Sequence, residues 1–156
     1  MTTLVLVRHA KSDWGDVSLD DHDRPLNERG MRDAPRMAAE LAATGLRLDA
    51  ILSSTALRAA TTADFFGAAF GVNVERDERL YGAPAPTLLR AAVERDVPAV
   101  MVVAHDPGMS ILAGQLSGRG ISHMATCAVA TFQWTEEDWN VASALDPDDW
   151  TWKTPR

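Results

Sequence analysis

The chain has 156 residues, 15 Lys+Arg against 22 Asp+Glu, a formal net charge of −7 and a pI near 5.0. That length suits one domain, residues 1–156, able to bury a core without disulfides or a structural metal. Acidity without any basic cluster argues against nucleic acid or an anionic membrane as partner. One cysteine, Cys127, excludes an intramolecular disulfide and a cysteine-based zinc site, and fits a reducing, cytoplasmic setting. The N-terminus has no basic region followed by an apolar stretch and cleavage site, and no apolar run is long enough to span a bilayer.

The first element is a strand over residues 4 to 7. Its four apolar residues, Leu4 to Val7, lack the alternation of a half-exposed strand, so both faces are expected to be buried. It ends in Arg8-His9, two side chains that are costly beside an apolar core without partners. Residues 12 to 27, rich in Asp, Ser and Gly, form a loop. Asn27 caps a helix from about residue 28 to Thr44, with Gly45 as its stop. Pro35 implies a kink in that helix, or a start only near Asp33. Then come a short strand, 48 to 54, an apolar helix, 55 to 70, one or two short strands and a turn in VNVERDERLYG, and a helix from Pro86 to Arg95.

A second fully buried strand, 97 to 105, also ends in a histidine, His105. Asp106 and Pro107 read as the cap and first position of the next helix. CAVATFQW and WNVASALD alternate well enough to form a terminal antiparallel pair around a TEED turn. The pattern is α/β: three layers, a mostly parallel central sheet with helices on both faces, and an antiparallel C-terminal edge.

In such sheets ligands bind where loops leave the carboxyl ends of the strands. Arg8, His9 and His105 lie there. Arg58 joins them from the first turn of the helix after the second strand, if Ser54 or Thr55 is its cap. That turn already favours anions, and the guanidinium adds a bidentate donor. Singly, each residue has an ordinary structural explanation. Together, two arginines and two histidines at one sheet edge make a pocket for a tetrahedral dianion. The basic residues also favour the first part of the chain: residues 96 to 156 hold three against eight acidic ones.

LVLVRHAKSDW resembles the Arg-His-Gly signature of the histidine phosphatase, or phosphoglycerate mutase-like, superfamily. SSTALRAATTA resembles its Ser-x-x-x-Arg-Ala-x-x-Thr-Ala segment, and VVAHDPGMS its second histidine. The motifs span residues 4 to 110. RPLNERG and the short chain look most like the SixA-type phosphohistidine phosphatase branch. The resemblance implies that His9 is the nucleophile of a phosphohistidine intermediate, with Arg8, Arg58 and His105 on the phosphoryl oxygens. No metal or cofactor is implied. The implied partner is a phosphorylated protein or a small phosphorylated substrate. The chemistry agrees: an attacking imidazole needs one nitrogen fixed as a donor, and phosphoryl transfer relies mostly on electrostatic stabilisation of the equatorial oxygens.

The chain departs from the pattern at three places. Ala10 replaces the glycine after the first histidine, which is tolerable unless the backbone needs positive φ. Gly15 stands where the mutases, which share Ser12 and Trp14, have a phosphate-contacting asparagine. Gly82, in RLYGAP, stands at the place of the general-acid glutamate. Without an acid worth roughly 10²–10⁴-fold, a P–N leaving group is favoured over an alkoxide. Glu78, Asp13 and Asp106 are the candidate substitutes, each also explicable as a surface or capping carboxylate. Lys11 and Arg24 are placed at the rim, and Ser12 as a phosphate donor or a turn residue. His22 and His123 are expected to be exposed, and Trp134, Trp139, Trp150 and Trp152 to pack the terminal hairpin and tail, with an exposed DDWTW as the alternative of a protein contact.

Competing chemistries leave little trace. Cys127 has no Cys-x5-Arg context, no Asp-x-Asp-x-Thr motif follows a buried strand, and there is no phosphate-binding Gly-x4-Gly-Lys-Ser/Thr loop. The pairs His22-Asp23 and His105-Asp106 are weak signals for a metallophosphatase. A phosphatase of a small metabolite, or a binding module without turnover, remain as alternatives.

Overall fold

The computed structural model describes residues 1–156. Eleven regular elements follow in chain order: β1 (Thr2–Arg8), α1 (Glu28–Ala43), β2 (Ala50–Ser53), α2 (Leu57–Phe70), β3 (Val74–Arg76), α3 (Ala85–Arg95), β4 (Ala99–Ala104), α4 (Gly108–Leu116), β5 (Val129–Trp134), α5 (Trp139–Ala142) and β6 (Asp149–Lys153). Short 3₁₀ turns sit at Asp21–Asp23 and Glu78–Leu80.

The strands form one sheet in the order β3-β2-β4-β1-β5-β6. β3, β2, β4 and β1 run parallel, β5 is antiparallel to β1, and β6 is antiparallel to β5. Leu4 to Val7 are fully buried, as their unbroken apolar run requires. Leu4, Leu6, Val100 and Val102 face the layer of α3 and α4; Val5, Val7, Met101 and Val103 face the layer of α1 and α2. Each such side chain contributes about 1.5–3 kcal/mol by leaving water.

α1 runs unbroken through Pro35. Pro35 is only half-buried and follows the exposed Met31 by four residues, so the carbonyl left without its amide lies on the solvent side. The Asn27 carboxamide accepts from the Gly30 N–H at 2.9 Å, which fixes the start at residue 28. Gly30 itself is required by contact: a Cβ there would collide with the Lys11 carbonyl oxygen.

Three further expectations about the elements need correction. WNVASALD is not a strand. Asp138 caps a helical turn at Trp139–Ala142, its carboxylate accepting from the Asn140 N–H at 2.9 Å, and Trp139 and Ala142 bury at helical spacing. The Trp139 indole donates to the Val97 carbonyl at 2.6 Å, and the strand paired with β5 is Asp149–Lys153. α2 starts at Leu57 with Ala56 at the cap position, so neither Ser54 nor Thr55 is its cap; the Ser54 hydroxyl instead accepts from the Ala56 N–H. α4 starts at Gly108 with Pro107 at the cap position. Asp106 nevertheless serves that first turn, accepting from the Ser110 amide and hydroxyl at 2.9 and 2.8 Å.

Candidate active site

β1 ends at Arg8, and the next residue leaves the sheet while remaining tied to it. The His9 N–H donates to the Ala104 carbonyl at the end of β4, and the Cys127 N–H donates to the carbonyls of Arg8 and His9, each at 3.0 Å. The Ala10 N–H donates to Thr62 Oγ1 at 3.0 Å, and Thr62 passes the bond to the Arg58 carbonyl at 2.7 Å. The turn carrying His9 is thereby locked to the first turns of α2, which carry Arg58. Ala10 does not have a positive φ, so alanine fits where the resemblance has glycine.

His9 is buried, and its Nδ1 lies 2.7 Å from the Ala10 carbonyl oxygen. A carbonyl can only accept, so Nδ1 carries the proton and Nε2 the free lone pair. Burial, more than the neighbouring charges of His105, Arg58 and Arg8, pulls the imidazole down to about 3. The ring is neutral over the whole physiological range. His105, at the end of β4, lies with its ring centroid 5.1 Å from that of His9 and its Nε2 2.8 Å from Ser54 Oγ. Burial, then the Arg58 charge, pulls it down to about 4.

The two guanidiniums are each held at one end. Arg8 Nη1 donates to the Met124 carbonyl at 2.9 Å and lies 3.5 Å from Asp106 Oδ2. Arg58 donates through Nη1 to the Asp21 carbonyl at 2.6 Å and through Nη2 to the Asp21 carboxylate at 3.0 Å. Three buried polar side-chain atoms of the protein have no hydrogen-bond partner: Arg8 Nε, Arg58 Nε and His105 Nδ1. All three belong to this cluster. The two guanidinium Nε–H groups are buried orphan donors, which are costly, and a bound anion with several oxygens would satisfy them.

The remaining predicted residues divide. Ser12 is buried with its hydroxyl accepting from Arg24 Nη1 at 2.8 Å, and Lys11 is half-buried and without an ion pair. Of the acid candidates, Asp106 touches the cluster through Arg8, but its carboxylate already serves Ser110. The exposed Asp13 accepts from the Gly15 N–H at 2.6 Å, and Glu78 is exposed without a side-chain partner. Gly82 has φ +66, a left-handed position that favours glycine, so no carboxylate occupies the place of the usual acid. No group of three His, Cys, Asp or Glu side chains is placed to hold a metal ion.

The structure adds a hub that the sequence reading did not single out. Asp21 accepts from Arg58, from the Tyr81 hydroxyl at 2.6 Å and from Arg24 Nε at 3.2 Å. The Tyr81 hydrogen bond and these arginines hold its carboxyl far below the usual carboxylate range, while the same bond pushes the Tyr81 hydroxyl up. Tyr81 stands edge-on to both His105 and His22, with centroids 5.6 and 5.0 Å away. Arg24, expected at the rim, is buried instead, its guanidinium carbon 3.5 Å from the centre of the exposed Trp14 ring. His22 is half-buried, its Nε2 2.8 Å from Thr55 Oγ1. The only advance signal was the i,i+3 spacing of Asp21 and Arg24. Cys127, buried with its thiol pushed up to about 12 by burial, is a packing residue rather than a nucleophile.

Residues 4–82 match the family model described as histidine phosphatase superfamily (branch 1). An uncharacterized chloroplastic protein of Arabidopsis thaliana is 33% identical over 94% of this chain and 73% of its own length. A structure from Agrobacterium tumefaciens designated a "putative phosphohistidine phosphatase SixA" is 33% identical, with a TM-score of 0.77 over 84% of this chain and 91% of that one. A second one so designated, from Nakamurella multipartitia, is 26% identical, with a TM-score of 0.87 over 99% and 96%. With the phosphoglycerate mutase-like sheet order and the Arg8-His9 and His105 strand ends already described, the chain belongs to branch 1 of the histidine phosphatase superfamily and is of the SixA type.

Proposed function

We propose that the protein is a metal-independent phosphatase that works through a phosphoryl group carried on His9, and that its substrate is protein phosphohistidine. The observation that carries the mechanism is the bond from His9 Nδ1 to the Ala10 carbonyl, which leaves a neutral Nε2 beside Arg8 and Arg58. Nε2 attacks phosphorus, the bond to the leaving group breaks, and phospho-His9 forms. Water then attacks the same phosphorus, releasing phosphate and returning the lone pair to Nε2. Arg8, Arg58 and His105 offset charge on the equatorial oxygens through the donors that have no partner in the protein.

What surrounds the leaving group supports this substrate class. Gly82 supplies no acid, Asp106 is hydrogen-bonded to Ser110, and Asp21 is held ionised. An alkoxide would have to depart without a proton donor, whereas an imidazole of phosphohistidine can arrive already protonated and leave neutral. Asp21 also places a negative charge beside Arg58, which suits the protonated ring of a bound phosphohistidine and opposes a metabolite with an extra carboxylate. The two SixA-designated relatives support the same class.

The test is phosphate release by the wild type and His9→Ala, in EDTA, from a phosphohistidine protein and from a panel of small phosphomonoesters. Turnover of phosphohistidine that disappears in His9→Ala is expected. Faster hydrolysis of a small ester would keep the mechanism and replace the substrate, and binding without turnover would make the protein a recognition module.

A further inference from the structure

β6 is the last strand of the sheet, paired to β5 on one side only. The backbone groups on its outer side have no hydrogen-bonding strand, a feature that proteins usually blunt or cover. Its sequence is Asp149-Trp150-Thr151-Trp152-Lys153, and the strand is mostly exposed. Trp152 is 40% exposed, although it lies opposite the buried Ala130.

The five residues are complementary to themselves. Two copies related by a twofold axis through Thr151, perpendicular to the sheet, would meet antiparallel. Asp149 of each would then face Lys153 of the other, Trp150 would face Trp152, and Thr151 would face Thr151. The pairs fall on consistent faces. Trp150 and Trp152 lie opposite Phe132 and Ala130, on the side of α3 and α4, whereas Asp149, Thr151 and Lys153 lie on the side of α1. Opposite charges and aromatic pairs directly across an antiparallel ladder are the combinations that stabilise it. A twofold interface requires the same patch to match itself, and this one does at every position. Lys153 has only one ion-pair partner within the chain, the half-buried Glu40 at 3.2 Å, and the ammonium has donors to spare for a second carboxylate.

We infer that β6 is a homodimerisation strand, joining two sheets edge to edge through an antiparallel β6–β6 pair with reciprocal Asp149–Lys153 bridges. The site at the carboxyl ends of β1 and β4 is left open by this pairing.

Sedimentation velocity on the full chain over a concentration series tests it, with Asp149→Lys, Lys153→Asp and the double variant. All are surface substitutions, and far-UV circular dichroism checks that each is folded. The wild type is expected to shift from monomer to dimer with concentration. Each single reversal turns two opposite-charge pairs into two like-charge pairs and should weaken association at least tenfold, roughly. The double variant restores both pairs and should return to within about threefold of wild type. A wild type that stays monomeric at its solubility limit, or a dimer unmoved by the single reversals, overturns the inference.

Discussion

Lowering the pH should destabilise the protein through two residues of its own site. His9 and His105 ordinarily titrate near 6.5 but are held at about 3 and about 4 in the folded chain, each chiefly by burial. Both folded values are depressed, so the unfolded chain takes up protons first. The stability is complete above about 6.5 and is lost as pH falls toward the folded values. Taking about pH 5 as the lower point, each unfolded imidazole gains about 2 kcal/mol from protonation that its folded counterpart does not. Together they remove about 4 kcal/mol relative to about pH 8, a large part of an ordinary domain's stability. Carboxylates held below their usual range, such as Asp21 and Asp77, take up no proton in that window and do not offset it. Urea unfolding at the two pH values reads the difference directly. His9→Gln and His105→Gln should each cut it by about half. A wild type equally stable at both pH values, or variants showing the full acid loss, would refute the claim that the two rings are buried and neutral.

Arg58→Ala should lower kcat by about 10²–10³-fold, and Arg58→Lys should recover little of it, because an ammonium lacks the rigid planar fork that lets the guanidinium hold Asp21 and face an oxyanion in fixed geometry; steady-state kinetics checks both. Gly82→Ala should cost about 1–2 kcal/mol in chemical denaturation, because a Cβ meets no atom there but the backbone is left-handed. Gly30→Ala should both destabilise the fold and reduce kcat, because its Cβ strikes the carbonyl of Lys11, next to the residue that orients His9; a variant with normal turnover would show that this loop tolerates displacement.

Much of the fold was legible because its central strands carry unbroken apolar runs, and such runs can only be satisfied by cover on both faces. Arg8, His9 and His105 were legible for the same reason, as polar side chains at the ends of those strands. Arg58 needed only the expectation of a helix after β2, and its placement survived a shift of the cap from Ser54 or Thr55 to Ala56. The hub at Asp21 was not legible. It joins a 3₁₀ turn, the start of α2 and the segment before Gly82, and nothing local distinguishes its aspartate from the other acidic residues of the loop. Arg24 leaves the expected rim position because Ser12, Asp21 and Trp14 enclose it, whereas a loop charge is normally solvated. The terminal hairpin shows how weak short alternation is as a signal: Trp139 to Ala142 alternates as a strand does, and the Asp138 cap with the anchor from Trp139 to Val97 makes it a helix.

The most direct test of the account is to quench the enzyme during turnover of a phosphohistidine protein and map the phosphoryl group by mass spectrometry under neutral conditions. One acid-labile phosphoryl group is expected on His9 in the wild type and none in His9→Ala. Undiminished turnover in His9→Ala, or a phosphoryl group on another residue, would contradict it.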